Sequence, residues 1–205
     1  MRALIVSFAA GLALHGSVGL LAPAVTRAEP ATYGFDRQHT SITVSWNHLG
    51  LSRQSTRVLD FDGTLEFDPA AADAAKVEVV MKTASLASGV PELDRALKSP
   101  DFFDAGRHPQ ITFRSTGVKK SGDKTGEVTG DLTIMGITRP VTLEVTLNFA
   151  GEHPWSTLNA LYRDKFVAGF SARGRLSRSE FGLKRGAPLV SDEIEVTIET
   201  ELIRK

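Results

Sequence analysis

Apolar and polar residues alternate along most of this chain. From Val141 to Phe149 every second residue is apolar, and Thr142, Glu144, Thr146 and Asn148 stand between them. A period of two places the two sets on opposite faces of an extended strand, one apolar and one wet. The same period recurs elsewhere, for example over 41–46, 166–172 and 194–198. The pattern predicts about eight strands.

A turn is expected before the strand that starts at Val141. Gly136 supplies backbone freedom, and Pro140 opens the next strand where no ladder hydrogen bond is lost. Together with the apolar positions Val128, Leu132 and Ile134 on the other side of the turn, the pattern predicts a hairpin.

One segment departs from the alternation. Residues 91–98 begin with Pro91 and carry Leu93 and Leu97 four positions apart. This spacing, with proline at the first position, predicts a helix of about two turns. Ser99-Pro100 is expected to end it.

The connections between the predicted strands are short, so nearly all neighbours are expected to be antiparallel. Such a chain forms a closed barrel or a sandwich, and an eight-stranded barrel is either filled by side chains or holds one small ligand. Small residues at inward positions, namely Gly130, Ala168 and Ala172, favour a cavity. Tapering barrels also alternate small and large residues, so this pattern alone leaves both interiors open.

Residues 1–28 have the features of a signal peptide. Met1-Arg2 gives a positive start, the run 3–21 is largely apolar, and Ala28 suits a signal peptidase. We expect cleavage after Ala28, with Ala24 as a second candidate. The alternative is an uncleaved membrane anchor, because the apolar run is close to the ~18 residues that spanning requires. One domain, residues 32–203, accounts for the rest.

Charge and cysteine content exclude several functions. Arg2 and Arg27 leave with the signal peptide, so Lys+Arg falls from 24 to 22 against 24 Asp+Glu, a net charge of −2. Without a basic excess, nucleic acid is a poor partner. The chain has no Cys, which excludes disulfide scaffolds, thiol catalysis and thiolate metal sites.

An ordered series of motifs resembles a known family. In chain order the motifs are DRQHTSI at 36–42, WNHLG at 46–50, FDGTLEFDP at 61–69, LKSPDFFD at 97–104, PQITFRST at 109–116, GDLTIMGITRPV at 130–141, GF at 169–170 with Ala172, RSEFGL at 178–183 and VSDE at 190–193. They resemble the YceI family of polyisoprenoid-binding, lipocalin-like periplasmic proteins over residues 32–203. Each motif alone is weak, and the ordered set is specific.

The resemblance implies an all-β, extended eight-stranded antiparallel barrel with a helical insertion around 91–98. It also implies a periplasmic location and a long apolar pore that binds an isoprenoid or other amphiphilic lipid, such as a polyprenyl, quinone or fatty amide compound, without catalysis. No other cofactor is expected. The chain departs from the family pattern at four places. Ala96 and Met135 stand where relatives often carry His, 56–58 replaces a usual Gly-x-Phe, and Thr40 replaces Ser.

The alternation nominates residues for the pore wall. Strands of about 9–12 residues at ~3.3 Å each, tilted by ~40°, give a pore of about 23–30 Å. A hydrocarbon chain fits lengthwise, and each buried methylene contributes ~0.8 kcal/mol. The apolar-face residues nominated for the lumen are Val44, Trp46, Phe61, Leu65, Val79, Met81, Phe113, Leu132, Ile134, Leu143, Val145, Phe166, Phe170, Val196 and Ile198.

Other polar and aromatic groups are expected to be structural. His39, His48, His108 and His153 lack metal-site spacing, although His39 and His48 would meet if they faced each other across a hairpin. Residues 101–104 (DFFD) are expected to plug one barrel end with Phe102 or Phe103, an arrangement compatible with a lid over the pore mouth. Arg178 and Asp192 are expected to form a structural pair or to bind a turn.

Two other functional classes compete with lipid carriage. An acid–base enzyme, for instance a carboxylate-dependent hydrolase, would use paired acids such as Asp60/Asp62 or Asp192/Glu193, but neighbours on a strand point to opposite faces and no Gly-x-Ser-x-Gly elbow is present. An accessory module would hand a quinone-like lipid to a membrane redox partner. The expected partners are therefore the lipid, a transient contact with a membrane or membrane protein, and a second copy in a homodimer.

Overall fold

A computed structural model describes residues 30–205, and the expected signal peptide lies outside them. The segments are β1 (Ala31–Phe35), β2 (Ser41–His48), β3 (Ser52–Val58), β4 (Phe61–Phe67), β5 (Lys76–Lys82), β6 (Leu86–Ala87), α1 (Pro91–Lys98), β7 (Gln110–Lys120), β8 (Thr125–Ile134), β9 (Ile137–Glu152), β10 (Phe166–Ser177) and β11 (Val190–Arg204). Short 3-10 turns lie at 69–74, 83–85, 160–162 and 178–181. Among these residues no helix is long and apolar enough to cross a bilayer.

Eleven strand segments form eight long strands. β1 and β2 pair with successive parts of β11, so they are two halves of one bent strand. β3 and β4 pair with β2 and β1 in the same way, and β6 and β5 pair with β3 and β4. At each bend the hydrogen-bond ladder is interrupted for a few residues, but the neighbouring strand stays the same. The pairs β1–β2, β3–β4 and β5–β6 therefore count as three strands, and with β7 to β11 they make eight.

The eight strands close into one barrel. Every strand pairs antiparallel with the next in the chain, and the last, β11, pairs with the first. The helix α1 interrupts this meander between β6 and β7. The prediction of an eight-stranded antiparallel barrel is confirmed, and the helix has the predicted bounds.

Two details of the β8–β9 hairpin differ from the prediction. The turn contains only Met135 and Gly136, both at positive φ, which is the geometry that matches the twist of a two-residue hairpin. Consequently Pro140 lies inside β9, opposite Asp131, instead of opening it. The β9–β10 register shifts between Leu147 and Phe149, so Asn148 has no partner there.

This register shift ends the alternation early. Leu147 is half-buried, whereas Phe149 is 42% exposed and Ala150 packs inward in its place. The prediction that Phe149 shares the inward face was therefore wrong, because a bulge reverses the faces of all residues beyond it.

Glycine and alanine on the inner wall make room for rings. A Cβ on Gly130 would lie 2.4 Å from the Phe113 Cζ, so the phenyl ring occupies the space that a side chain there would need. Ala168 is fully buried against Tyr33, Leu65 and their neighbours. Of the three small residues that favoured a cavity, only Ala172 lines one.

The two ends of the barrel carry different connections. One end, called the helix end, bears α1, residues 99–109, the 135–136 turn and residues 178–189. The opposite end, called the loop end, bears the 68–75 segment, the 121–124 hairpin turn and the 153–165 loop. The antiparallel register fixes these assignments, since alternate connections emerge at the same end.

Candidate functional site

An apolar cavity runs through the interior of the barrel. It offers about 280 Å³ to the centres of water-sized molecules. Nearly all the side chains that surround it are aliphatic or aromatic. The interior is therefore a binding space as well as a packed core.

Inward residues midway along the barrel confirm that the interior is not filled. Leu143 and Val145 of β9 and Val196 and Ile198 of β11 all line the cavity and are only partly buried. Inward aliphatic residues of a solid core normally lose nearly all their exposed surface, since protein interiors are close-packed. Here their side chains face space that is not occupied by protein.

Most residues that the alternation nominated for the lumen are brought together around this cavity. Contact with a ligand remains a prediction for all of them. The twelve that line the cavity are Val44, Leu65, Val79, Met81, Phe113, Leu132, Ile134, Leu143, Val145, Phe170, Val196 and Ile198.

Three nominated residues lie outside the cavity lining. Trp46 shares the inward face of β2 and lies opposite Ile194, which lines the cavity, but Trp46 itself does not line it. Phe61 is buried in the wall, with its ring edge-on to Phe35 at a centroid distance of 6.0 Å. Phe166 opens β10 at the rim, 40% exposed, under the Arg204 guanidinium. For these three the shared face was right. Depth along the barrel axis accounts for Phe166 at the rim, whereas Trp46 and Phe61 lie at the depth of the lining residues Ile194 and Met81.

Several lining residues were missed from the sequence. Phe35, Phe67, Val77, Val118 and Val128 belong to alternating strands, and the period of two could have found them. Segments without this period also contribute, because only the fold brings them to the barrel ends. These residues are Pro69, Ala72, Ala75, Phe103, Lys120, Asp123, Lys124 and Thr125.

The cavity reaches the surface at the loop end. Its exposed charged lining residues, Lys120, Asp123 and Lys124, all lie on or beside the β7–β8 turn, facing the 69–75 segment. This opening is called the mouth. It has two ammonium groups and one carboxylate, so a polar or anionic headgroup is accommodated there more readily than inside the apolar channel.

The helix end is closed by buried side chains. Phe181 is fully buried and Leu183 is 4% exposed, and both belong to the core cluster that Phe102 and Phe103 also contact. Phe103 lines the inner end of the cavity. The DFFD segment therefore acts as the predicted plug, but it closes the end opposite the mouth and is not a lid over it.

Arg178 holds the backbone of the closed end. Its guanidinium is buried and donates to the carbonyl oxygens of Leu183, Arg185, Val190 and Ser191. Two of these carbonyls lie in the connection before β11, which has no regular structure, and the other two lie at the start of β11.

Asp192 accepts hydrogen bonds from the backbone and hydroxyl of Ser179, at 2.9 and 2.8 Å. The Ser179 hydroxyl holds the pKa of Asp192 below its ordinary value. Both Arg178 and Asp192 thus bind turns, one of the two structural roles predicted for them.

Three threonines supply the hydroxyl groups of the inner wall. Thr40 and Thr200 face each other with 2.8 Å between their hydroxyl oxygens. Thr56 is 3% exposed, and within residues 30–205 its hydroxyl is the one buried side-chain polar atom without a hydrogen-bond partner. An unpaired buried hydroxyl carries a desolvation cost, so Thr56 is a candidate contact for a polar atom of a ligand.

His39 and His48, which would have met if they faced each other across a hairpin, do not share a site. His39 precedes β2 and His48 ends it, so the two lie at opposite ends of one strand and do not meet. His39 Nδ1 lies 2.8 Å from Asp36 Oδ2 and 4.0 Å from Glu201 Oε2. This exposed trio is a compact carboxylate–imidazole cluster on the outer wall, away from the cavity lining.

The acidic pairs do not converge on the cavity. Asp60 forms an exposed ion pair with Arg37 at 2.6 Å, and Asp62 accepts from the Gly63 backbone. Asp192 is engaged by Ser179, while Glu193 faces Arg175 across the sheet. These carboxylates have structural partners and do not share a pocket.

Comparisons with known proteins agree with this architecture. A family model described as YceI-like domain matches residues 33–202. A UPF0312 protein of Pseudomonas savastanoi pv. phaseolicola is 38% identical over 181 residues, covering 87% of this chain and 90% of the relative.

Two solved structures share the fold. BcnA of Burkholderia cenocepacia superimposes with a TM-score of 0.71 at 23% identity, over 83% of this chain and 99% of that one. A polyisoprenoid binding domain from Saccharophagus degradans, implicated in plant cell wall breakdown, has a TM-score of 0.61 at 10% identity, over 85% and 99%. The barrel, its apolar interior and the matched family model together show that the chain belongs to the YceI-like domain family.

Proposed function

We propose that this protein binds one long-chain amphiphilic lipid in its barrel and carries it through the periplasm without chemical change. The observation that carries the proposal is the apolar cavity, whose inward aliphatic residues midway along the barrel are only partly buried. Belonging to the YceI-like family supports it, as does the description of the Saccharophagus degradans domain as polyisoprenoid binding.

The polarity of the cavity suggests how the lipid lies. The hydrocarbon chain occupies the apolar interior toward Phe103, and the headgroup stays at the mouth beside Lys120 and Lys124. Burying ten methylenes contributes about 8 kcal/mol, which is the free energy of a micromolar complex before ordering costs are subtracted. Isoprenoid alcohols or phosphates, quinones and fatty amides all have this form.

A binding role fits the polar groups better than catalysis does. A general acid or base must lie within hydrogen-bond reach of a bound substrate, and the acidic pairs Asp60/Asp62 and Asp192/Glu193 are held by other partners outside the cavity lining. The charged lining residues are confined to the mouth, where they suit headgroup contact.

A matched pair of variants on β9 tests the pore. Leu143 faces the cavity and the neighbouring Thr142 faces out, bonded to the Thr129 hydroxyl. Uptake of a fluorescent isoprenoid or fatty amide, delivered from ethanol, is measured for Leu143→Asp and Thr142→Asp. We expect Leu143→Asp to lose at least tenfold in affinity, because a carboxylate in the channel must be desolvated, while Thr142→Asp binds like the parent.

Because an inward charge also threatens folding, Val196→Phe serves as a second variant. It fills the channel from β11 without adding charge, and circular dichroism checks that the barrel is intact. Unchanged uptake by a folded Val196→Phe protein, or equal loss in Thr142→Asp, would show that the cavity is not where the lipid binds.

A further inference from the structure

The 153–165 loop presents large apolar side chains to solvent. Trp155 is 56% exposed, Leu158 81% and Leu161 78%. Phe149 and Phe166, at the adjoining ends of β9 and β10, are 42% and 40% exposed. So many large exposed apolar side chains within residues 149–166 mark this part of the surface as an interaction site. These five residues are called the apolar tip.

The loop has a defined conformation that leaves the tip uncovered. The His153 and Tyr162 rings stack at a centroid distance of 3.9 Å, and Trp155 meets Tyr162 edge-on at 6.0 Å. Backbone bonds join His153 to Lys165 and Tyr162 to Asn159. The loop is therefore built around its own aromatic stack, with its leucines directed away from the protein.

The apolar tip lies at the same end of the barrel as the mouth. β8 pairs with β9 up to Thr146, and β9 then continues to Glu152, so the β9–β10 strands project past the β7–β8 turn. Leu147 lines the cavity, and its amide donates to the Lys124 carbonyl at 2.7 Å. The loop begins six residues after Leu147, beside the mouth.

Basic residues accompany the apolar tip. The loop holds Arg163 and Lys165 against Asp164. The neighbouring β7–β8 turn holds Lys124 against Asp123, and β7 ends in two further lysines at 119 and 120. Arg204 stacks over Phe166 with 5.7 Å from its guanidinium carbon to the ring centroid. Aromatic and leucine side chains flanked by Lys and Arg are the composition that enters the interface of an anionic bilayer.

We propose that the apolar tip inserts into the surface of an anionic lipid bilayer and so places the mouth against the membrane. This deepens the proposed function and rests on it, because it names the source of the lipid. A long-chain lipid resides in membranes, and a mouth held at the interface lets the chain slide into the channel without crossing water. The helix end also exposes Leu51 and Leu189, but insertion there would present a closed barrel.

Vesicle binding tests this proposal with a matched control. Purified protein is mixed with vesicles of phosphatidylglycerol and phosphatidylethanolamine, or of phosphatidylcholine alone, and sedimented. Leu158→Asp/Leu161→Asp changes two exposed leucines of the tip, and Leu51→Asp/Leu189→Asp changes two of similar exposure at the helix end. We expect at least tenfold weaker binding to anionic vesicles for the tip variant and no change for the control.

A fluorescence measurement locates the contact. The chain has two tryptophans, Trp46 and Trp155, and brominated lipid should quench Trp155 while leaving Trp46 bright. Trp155→Phe should abolish the quenching.

The outcomes separate this proposal from the one it rests on. If the tip variant binds vesicles poorly but takes up lipid from ethanol as the parent does, membrane docking is supported. If parent and tip variant bind vesicles equally, or the parent does not bind, docking is overturned while carriage stands. A tip variant that instead converts a dimer to a monomer, with no vesicle binding by the parent, would assign the tip to a second copy of the chain and overturn docking.

Discussion

The two ends of this barrel differ: the helix end is closed and the loop end is open. At the helix end, Phe181 and Leu183 are buried, and Arg178 bonds four backbone carbonyls. At the loop end, the cavity reaches the surface between the 69–75 segment and the 121–124 turn, and leucines of the 153–165 loop stand in solvent. One end is packed for stability, and the other leaves the interior accessible.

The difference gives the pore a direction. A channel with one sealed end and one mouth admits a chain from one side only, and its polar group stays where the lysines are. It also predicts that mutations at the two ends will have different consequences: stability at the helix end, and ligand or membrane contact at the loop end. The following measurements test that division.

The largest effect is expected at the sealed end. Phe181→Ala removes a fully buried ring and should lower the free energy of unfolding by about 3–5 kcal/mol. Leu158→Ala, at an 81% exposed position of the loop end, should stay within about 0.5 kcal/mol of the parent. Urea denaturation of both proteins measures the contrast, and equal losses would contradict the division between the ends.

In the wall between the two ends, a larger side chain at Gly130 should destabilise the barrel. In Gly130→Val the new Cβ would lie 2.4 Å from the Phe113 ring and 2.6 Å from the Arg114 carbonyl oxygen. We expect a loss of about 1–3 kcal/mol from overpacking, together with weaker lipid uptake as Phe113 is pushed into the channel. Gly117→Ala, whose Cβ meets no atom within 4 Å, is the control for denaturation and uptake. Full stability of Gly130→Val would show that the ring moves freely.

An unpaired hydroxyl provides a smaller test of the apolar interior. Thr56→Val replaces a buried, unpartnered oxygen with a methyl group and should raise the stability of lipid-free protein by about 1 kcal/mol. Thr40→Val removes the bond to Thr200 and should cost about 1 kcal/mol. If Thr56→Val is instead destabilising without ligand, its hydroxyl has a partner in solution.

The smallest effect concerns an exposed pair on the outer wall. Burial of Asp36 opposes its ionisation, but the hydrogen bonds from the His39 ring and from the Gln38 and His39 amides, together with the His39 charge, outweigh burial and hold the Asp36 pKa below its ordinary value of 3.8. The hydrogen bond between the two side chains raises the His39 pKa above 6.5. The stabilisation is therefore complete between about pH 4 and 6.5. It falls as acid protonates Asp36 and as base deprotonates His39.

Comparing parent with His39→Gln checks this window. The melting temperatures should differ slightly at pH 5.5 and coincide at pH 9. A gap of equal size at pH 9 would mean that the histidine acts through packing and not through charge.

The sequence predicted which residues face the barrel interior better than it predicted their positions along the barrel axis. Alternation gave the inward face of β11 and of β9 as far as Leu147, because a strand has a fixed period. It failed at Phe149, where a bulge with no sequence signal reverses the faces, and at Phe166, which shares the inward face but lies at the rim beyond the cavity. Position along the axis depends on strand register and on the bends, which local patterns do not record.

The sequence did not predict the residues of the mouth, for a related reason. Asp123, Lys124 and Ala72 lie in connections without periodicity and meet only when distant strands close the barrel. The helix, by contrast, was predicted with its observed bounds, since proline at its start and Ser99-Pro100 at its end are local signals.

Extraction of lipid from the natively purified protein tests the central claim most directly. Protein is purified without detergent, extracted with organic solvent and examined by mass spectrometry, beside a native spectrum of the intact complex. The account predicts one long-chain amphiphilic lipid per barrel, lost in folded Val196→Phe. Protein that carries no lipid, and that takes up neither an offered isoprenoid nor a fatty amide, would contradict it.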